Sequence, residues 1–211
     1  MDQRTIDTYN QLATEYDEET TDFWERFPRT FLDEFIRRSG KTVLDVGSGP
    51  GRDGLLLQQA GKAVICLDAS EAMVRLSSGR GLISVLGDFN ALPFADAQFD
   101  AVWSYTALLH VPKASAGTAL DEVRRVLKPD GMFALGLIEG EGERYRESAG
   151  VGMPRLFSYF QKEEAENLCK KHGFELAYFE AFKPGSRTYM NFVFESTLAS
   201  TVRSQGRLST P

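Results

Sequence analysis

The stretch Val43-Leu44-Asp45-Val46-Gly47-Ser48-Gly49-Pro50-Gly51 decides the fold. A short β-branched run stops at a cluster of three glycines, and apolar residues from Leu55 to Ala60 then open a helix closed by Gly61. Glycine turns permit positive φ and let a ligand approach the backbone with no Cβ in the way. The amides of such a turn, with the helix N-terminus behind it, suit anionic or polar ligand groups. Gly49-Pro50-Gly51-Arg52-Asp53-Gly54 formally matches the dinucleotide pattern GxGxxG. That pattern should start directly at the strand end, where the residue here is Gly47, so the spacing reads GxGxG with Asp45 just ahead of it.

Downstream, the alternation repeats. Ala63–Leu67 reads as a second strand with Asp68 at its tail, and Ser70 can cap a helix through Met73, Val74 and Leu76. Leu82–Leu86 is a third strand, Phe99–Tyr105 a fourth, Ala119–Leu127 a helix and Met132–Ile138 a fifth strand. Apolar runs spaced by helices indicate a parallel sheet covered on both faces. After a helix over Lys162–His172, Phe174–Phe182 and Tyr189–Ser196 read as a hairpin through Lys183-Pro184-Gly185-Ser186, giving the sheet an antiparallel edge. Upstream, Phe23, Phe27, Phe31 and Phe35 recur every four residues and predict a helix ended by Gly40. The Gly/Arg/Glu-rich stretch 139–160 has no clear element and reads as a functional or disordered loop, and 197–211 as a loose tail.

The 211 residues fit one domain, with 24 Lys+Arg against 30 Asp+Glu. Residues 1–22 hold seven acids and one base, so the net charge of −6 belongs to that segment and the remainder is balanced. No basic face of the kind that binds nucleic acid is visible, although folding could assemble one. Cys66 and Cys169 are two buried-looking thiols rather than a disulfide framework, and no signal peptide or membrane span is apparent, so a cytoplasmic protein is expected. Two distant histidines do not form a metal-ligand set.

At this point the chain resembles the class I S-adenosylmethionine (SAM)-dependent methyltransferases, in particular the small-molecule group with ubiquinone-biosynthesis-type enzymes (the type 11 group). The motifs occur in order: Asp45–Gly51, Asp68, Gly87-Asp88-Phe89 with Leu92-Pro93-Phe94, Phe99-Asp100-Ala101-Val102 leading to Leu108-Leu109-His110, and Val126-Leu127-Lys128-Pro129-Asp130-Gly131. The resemblance implies a Rossmann-like doubly wound α/β sheet in strand order 3-2-1-4-5-7-6. It implies one domain over 1–196, with a helical lid over 1–38, a substrate-side insertion at 139–160 and a tail at 197–211.

The same resemblance implies a methyl transfer by in-line displacement from SAM, leaving S-adenosylhomocysteine (SAH). Gly47, Ser48, Gly49 and Gly51, with Asp45 behind them, would border the methionine portion. Asp68, with Ala69 beside it, would take the ribose hydroxyls; taken alone, it could cap the next helix. Asp88 would accept from the adenine amino group and the Phe89 amide would donate to a ring nitrogen, though Gly-Asp is also a turn pair. Met73 would pack on adenine or in plain core, Ser104 would lie at the amino-acid end, and Tyr16 would close the lid or pack on the sheet. Tyr9, Tyr105, His110, Arg155 and Tyr159 are the candidate acceptor residues. His110 is either a general base or a polar loop residue.

A small-molecule acceptor is expected. An RNA, particularly tRNA, methyltransferase and a non-catalytic SAM-binding subunit are the alternatives. No metal is expected, and oligomeric state is open. SAM is net cationic, so the acidic lid could favour its entry.

Overall fold

In the computed structural model, which describes residues 1–148 and 151–197, the opening run forms β1 (Thr42–Val46) inside a seven-stranded sheet. Parallel pairs place β2 (Ala63–Asp68) and β3 (Ile83–Leu86) to one side of β1, and β4 (Phe99–Tyr105) and β5 (Leu127–Ile138) to the other. The chain reverses direction across the sheet between β1 and β4, so their C-terminal loops part and leave a crevice, the place where open α/β sheets bind ligands. Helices α5 (Arg52–Gln59), α6 (Glu71–Gly79) and α7 (Lys113–Val126) make the crossovers. Ser70 caps α6 as expected, its Oγ accepting the Met73 amide at 3.3 Å.

Beyond β5 come α8 (Lys162–Lys171), β8 (Phe174–Phe182) and β9 (Tyr189–Ser196), with β9 antiparallel to both β5 and β8. The full order β3-β2-β1-β4-β5-β9-β8 is the expected 3-2-1-4-5-7-6, β8 and β9 being the sixth and seventh strands of this sheet. Aromatic residues fill both faces: Phe133, Phe174 and Phe194 on one, Phe31, Phe35 and Trp103 on the other, all buried.

Two sequence readings need correction. The four-residue phenylalanine period is not one helix. Before Lys41 the chain forms α1 (Gln3–Gln11), α2 (Ala13–Glu19), α3 (Phe23–Arg26) and α4 (Thr30–Arg38). The break falls at Phe27, held extended (φ −124°, ψ 154°) because Pro28 disfavours the helical conformation of the residue before it. Phe31 then stacks on Trp103 with ring centroids 4.7 Å apart, under the sheet, while Phe23 and Phe27 join aromatic side chains above the crevice.

The 139–160 stretch is not an unstructured loop either. It is a two-stranded antiparallel hairpin, β6 (Glu143–Ser148) and β7 (Val151–Ser158), separate from the main sheet. Its β7 strand docks on α1, with the Thr8 hydroxyl donating to the Pro154 carbonyl at 2.9 Å and the Leu156 amide donating to Thr5 Oγ1 at 2.9 Å. The expected tail, from residue 198 onward, lies outside the described residues.

Candidate functional site

The turn after β1 is pinned to the end of β2: the amides of Gly47 and Ser48 both donate to the Leu67 carbonyl, at 2.8 and 3.1 Å. Gly47 has φ +71°, and a Cβ there would lie 2.2 Å from the Ala107 methyl, so only hydrogen fits. Gly49 also has positive φ, +53°, but a Cβ there would meet nothing nearer than Tyr16 Cε1 at 4.0 Å. One glycine is required by packing; the other leaves a cradle. Gly51, the N-cap of α5, faces Ser77 and Leu82.

Asp68 completes the cradle. One carboxylate oxygen accepts the Gly49 amide at 2.8 Å and the other the Ser70 amide at 2.8 Å, with Ala69 between them in the chain. Burial pushes its pKa up, opposed by the Ser70, Gly49 and Ala69 amides. Asp45, beneath the turn, is pushed well above the usual carboxylate range by burial and then by the nearby charges of Asp53 and Asp68. Asp53, in the first turn of α5, accepts the indole N–H of Trp24 at 2.5 Å and of Trp103 at 2.8 Å, and burial raises it too. Three carboxyls crowding one turn, Asp45 buried and Asp53 and Asp68 half-buried, make a place where a bound cation is favoured.

Three cavities meet here. One of about 370 Å³ is lined by Tyr16, Trp24, Asp45, Gly47, Ser48, Gly49, Asp53 and Tyr105. A narrower one lies between Asp68, Met73, Tyr9 and His110. The third, about 250 Å³, is walled by Tyr9, Phe23, Phe27, His110, Arg155, Phe157 and Tyr189. Tyr16 and Thr106 line all three. Thr106 holds φ +53°, an unusual conformation for a β-branched residue that costs about 1–3 kcal/mol, and its amide is fixed to the Gly136 carbonyl at 3.0 Å. Helix α2 is fastened beside this junction by Asp17, which pairs with Arg52 at the start of α5 and with Arg80 at 2.6 Å.

His110 is buried in the one-turn 3₁₀ helix after β4. Its Nδ1 lies 2.6 Å from the Leu156 carbonyl, which only accepts, so Nδ1 carries the hydrogen. Nε2 is then free to accept, and the Tyr9 hydroxyl sits 3.0 Å from it. Tyr9 in turn receives a hydrogen bond from Arg155 Nη1 at 2.6 Å. Burial, and then the Arg155 charge, hold the His110 pKa down at about 3, so the imidazole is neutral. The order Arg155 to Tyr9 to His110 to Leu156 gives each hydrogen one direction.

Other expected residues stand elsewhere. Ser104 is buried in β4 and lines none of the three cavities; of the next two residues, Tyr105 lines two of them and Thr106 all three. Asp88 is engaged by the Met1 ammonium and the Asn90 amide, and Phe89 packs into the core; neither lines these cavities. Tyr159 faces a separate crevice beside the hairpin. Asp53, Trp24 and Thr106 belong to the junction, although no local pattern marks them. A carboxyl with two indole partners exists only once three distant segments are folded together.

Sheet order and the glycine turn at the end of β1 are those of the class I SAM-dependent methyltransferase fold. Within that class, residues 44–135 match the family described as Methyltransferase domain (Methyltransf_11). A demethylmenaquinone methyltransferase from Beutenbergia cavernae is 40% identical over 109 residues, covering 51% of this chain and 45% of that protein. A solved DhpI–SAH complex superposes with a TM-score of 0.77 at 20% identity, covering 93% of this chain and 99% of that one. The 1,6-didemethyltoxoflavin-N1-methyltransferase of Burkholderia thailandensis, solved with 1,6-didemethyltoxoflavin and SAH, gives 0.69 at 21% identity, covering 91% and 88%. The chain spans about half the length, or less, of the curated relatives it first matches. Among the described residues, no helix is long and apolar enough to cross a membrane.

SAM is the cofactor of this domain class, and the residues fit it. The Gly49 cradle admits a ligand, the acid cluster suits an ammonium and a sulfonium, and the buried Tyr105 hydroxyl has no partner among the described residues.

Proposed function

We propose that this chain transfers the SAM methyl group to a small molecule held in the aromatic cavity between Tyr9, His110 and Arg155. The observation that carries the reading is the junction. A cradle suited to a cation and a cavity walled by aromatic rings, with a neutral imidazole, meet at Tyr16 and Thr106. When bound, SAM would supply an electrophilic methyl on a sulfonium, with the acceptor–carbon bond forming in line as the carbon–sulfur bond breaks and SAH is left.

Within this reading Gly47, Ser48, Gly49 and Asp45 border the methionine portion, Asp68 takes the ribose hydroxyls, and Met73 packs against adenine. The protein's contribution is placement and exclusion of water, which hold the reactants at near-attack distance. Tyr9 and Thr106 orient the acceptor, and Tyr16 covers the junction.

The Tyr9–His110 pair is a proton acceptor of low basicity. Tyr9 Oη can take the acceptor's proton while passing its own to His110 Nε2. With so low a histidine pKa, this transfer suits an acceptor whose proton turns acidic as the new bond to carbon forms.

The test is calorimetry with SAM and SAH, then incubation with labelled SAM and a metabolite extract, reading a 14-Da gain by mass spectrometry. Binding lost in Asp68→Ala and a labelled small product support the reading. No binding at millimolar ligand refutes it, and binding without any labelled product refutes the catalytic role.

A further inference from the structure

The hairpin carries a feature that the reaction above does not use. β6 reads Glu143-Arg144-Tyr145-Arg146-Glu147, and strand alternation puts both arginines on one face and the acids on the other. The register sets Arg144 opposite Phe157 and Arg146 opposite Arg155, so this is the face that walls the aromatic cavity. Like charges directly opposite on paired strands are destabilising, which makes the Arg146–Arg155 placement a cost to the free protein.

Across from this face, the turn between β8 and β9 presents Lys183 and Arg187, and a crevice of about 560 Å³ lies between the two. Four cations line it against a single carboxylate, Glu139. Among the described residues none of the four is in an ion pair, whereas Arg37, Arg38, Arg52, Arg80 and Arg125 are all paired with carboxylates. Tyr159 instead braces the arginines: Arg146 donates to its hydroxyl at 3.0 Å and the Arg144 guanidinium lies 4.5 Å over its ring. A chain balanced in charge beyond residue 22 has gathered positive charge at one point by folding.

The crevice adjoins the aromatic cavity, with Ile138 and Arg187 lining both. Guanidinium forks match phosphate oxygens in pairs, and several cations around one group select for more than one negative charge. We propose that the methyl acceptor is two-ended, with an apolar or aromatic reactive end beside Tyr9 and His110 and a phosphate group held by Arg144, Arg146, Lys183 and Arg187. The identification of the ligand as the methyl acceptor rests on the methyltransferase reading; the anion site itself does not.

The experiment titrates the full chain, with SAH present, with 1-naphthyl phosphate and with 1-naphthol, which differ only in the phosphate. In 50 mM salt the phosphate is expected to bind at least about tenfold more tightly, and the preference should shrink in 0.5 M salt as the charges are screened. Arg144 and Lys183 are exposed, so Arg144→Ala/Lys183→Ala should fold normally and reduce the preference below about twofold. Equal affinities in the wild type, or a preference unchanged in the double variant, overturn the proposal. A 12-residue RNA that binds through these cations, with no phosphate preference among the naphthyl pair, overturns it as well. SAH binding measured in the same samples separates the two readings. Retained SAH binding without phosphate preference refutes the anion site alone, and absent SAH binding refutes the cofactor reading.

Discussion

Gly47→Ala and Gly49→Ala should fail in different ways, and the difference separates a glycine kept for packing from one kept for a ligand. Both positions have positive φ, so an alanine at either costs about 1–2 kcal/mol of backbone energy. At Gly47 the added methyl would also lie 2.2 Å from the Ala107 Cβ, far inside contact distance, and overpacking of this kind costs roughly 1–3 kcal/mol more. At Gly49 the nearest protein atom is 4.0 Å away, so no second cost arises in the free protein. For a domain of this size each kcal/mol moves Tm by about 2–4 °C. Gly49→Ala should therefore lower Tm by roughly 2–8 °C and Gly47→Ala by roughly 4–20 °C.

Ligand binding should rank the two by a different rule. The Gly49 methyl points into the cradle, and SAH affinity should fall roughly 10- to 100-fold, the equivalent of about 1.4–2.8 kcal/mol of crowding. Ala107→Gly added to Gly47→Ala should recover the clash part of the Tm loss, and added to Gly49→Ala should recover nothing. The assays are thermal unfolding without ligand and calorimetry with SAH. Equal Tm losses, or SAH affinity within twofold of wild type in Gly49→Ala, would refute the reasoning.

Three further outcomes follow from the site. Asp45 has a native pKa raised by burial, so ionising it costs stability as pH rises from the unfolded carboxylate value through the native one. Asp45→Asn should thus raise the ligand-free Tm at pH 7, with the gain vanishing near pH 4, and should weaken SAH binding; a pH-independent change in Tm would contradict this. Asp17→Asn removes the partly buried ion pairs to Arg52 and Arg80, worth about 1 kcal/mol, so SAH should dissociate roughly fivefold faster in stopped-flow, with Tm lowered by no more than about 2–4 °C. An unchanged off-rate would show that α2 is held elsewhere. His110, neutral because its pKa is held near 3, should leave no inflection near pH 6.5 in kcat, while His110→Gln should lower kcat about 100-fold or more. An inflection near 6.5 that disappears in the variant would show that the imidazole titrates.

The sheet was legible because its signals are local. A glycine turn after a β-branched run, Asp68 one strand later, and a Pro-Gly turn between two aromatic strands each depend on neighbours in sequence. The helix break at Phe27 was written there too, in Pro28, but the phenylalanine period overrode it. The hairpin was missed because β6 alternates charge against charge rather than apolar against polar, and apolar contrast is what pattern reading looks for. Asp53 between two indoles, Thr106 at positive φ and the clustering of Arg144 with Lys183 are properties of tertiary proximity. No spacing in one strand or helix records them.

The hairpin's attachment has a consequence for how such a domain changes its acceptor. Its two ends are bridged, Glu139 pairing with Phe160 and the Gly140 amide donating to the Phe160 carbonyl at 3.1 Å, so the insert leaves and rejoins the body at one closed stem. A graft spanning 141–159 would carry Arg144, Arg146, Arg155 and Phe157 as a cassette, leaving the sheet and the glycine turn intact. It also meets α1, through Thr5 and Thr8, and the turn after β4, through His110 and Val111, so a transplant that keeps those contacts should refold around the same cofactor cradle and carry a new acceptor preference with it.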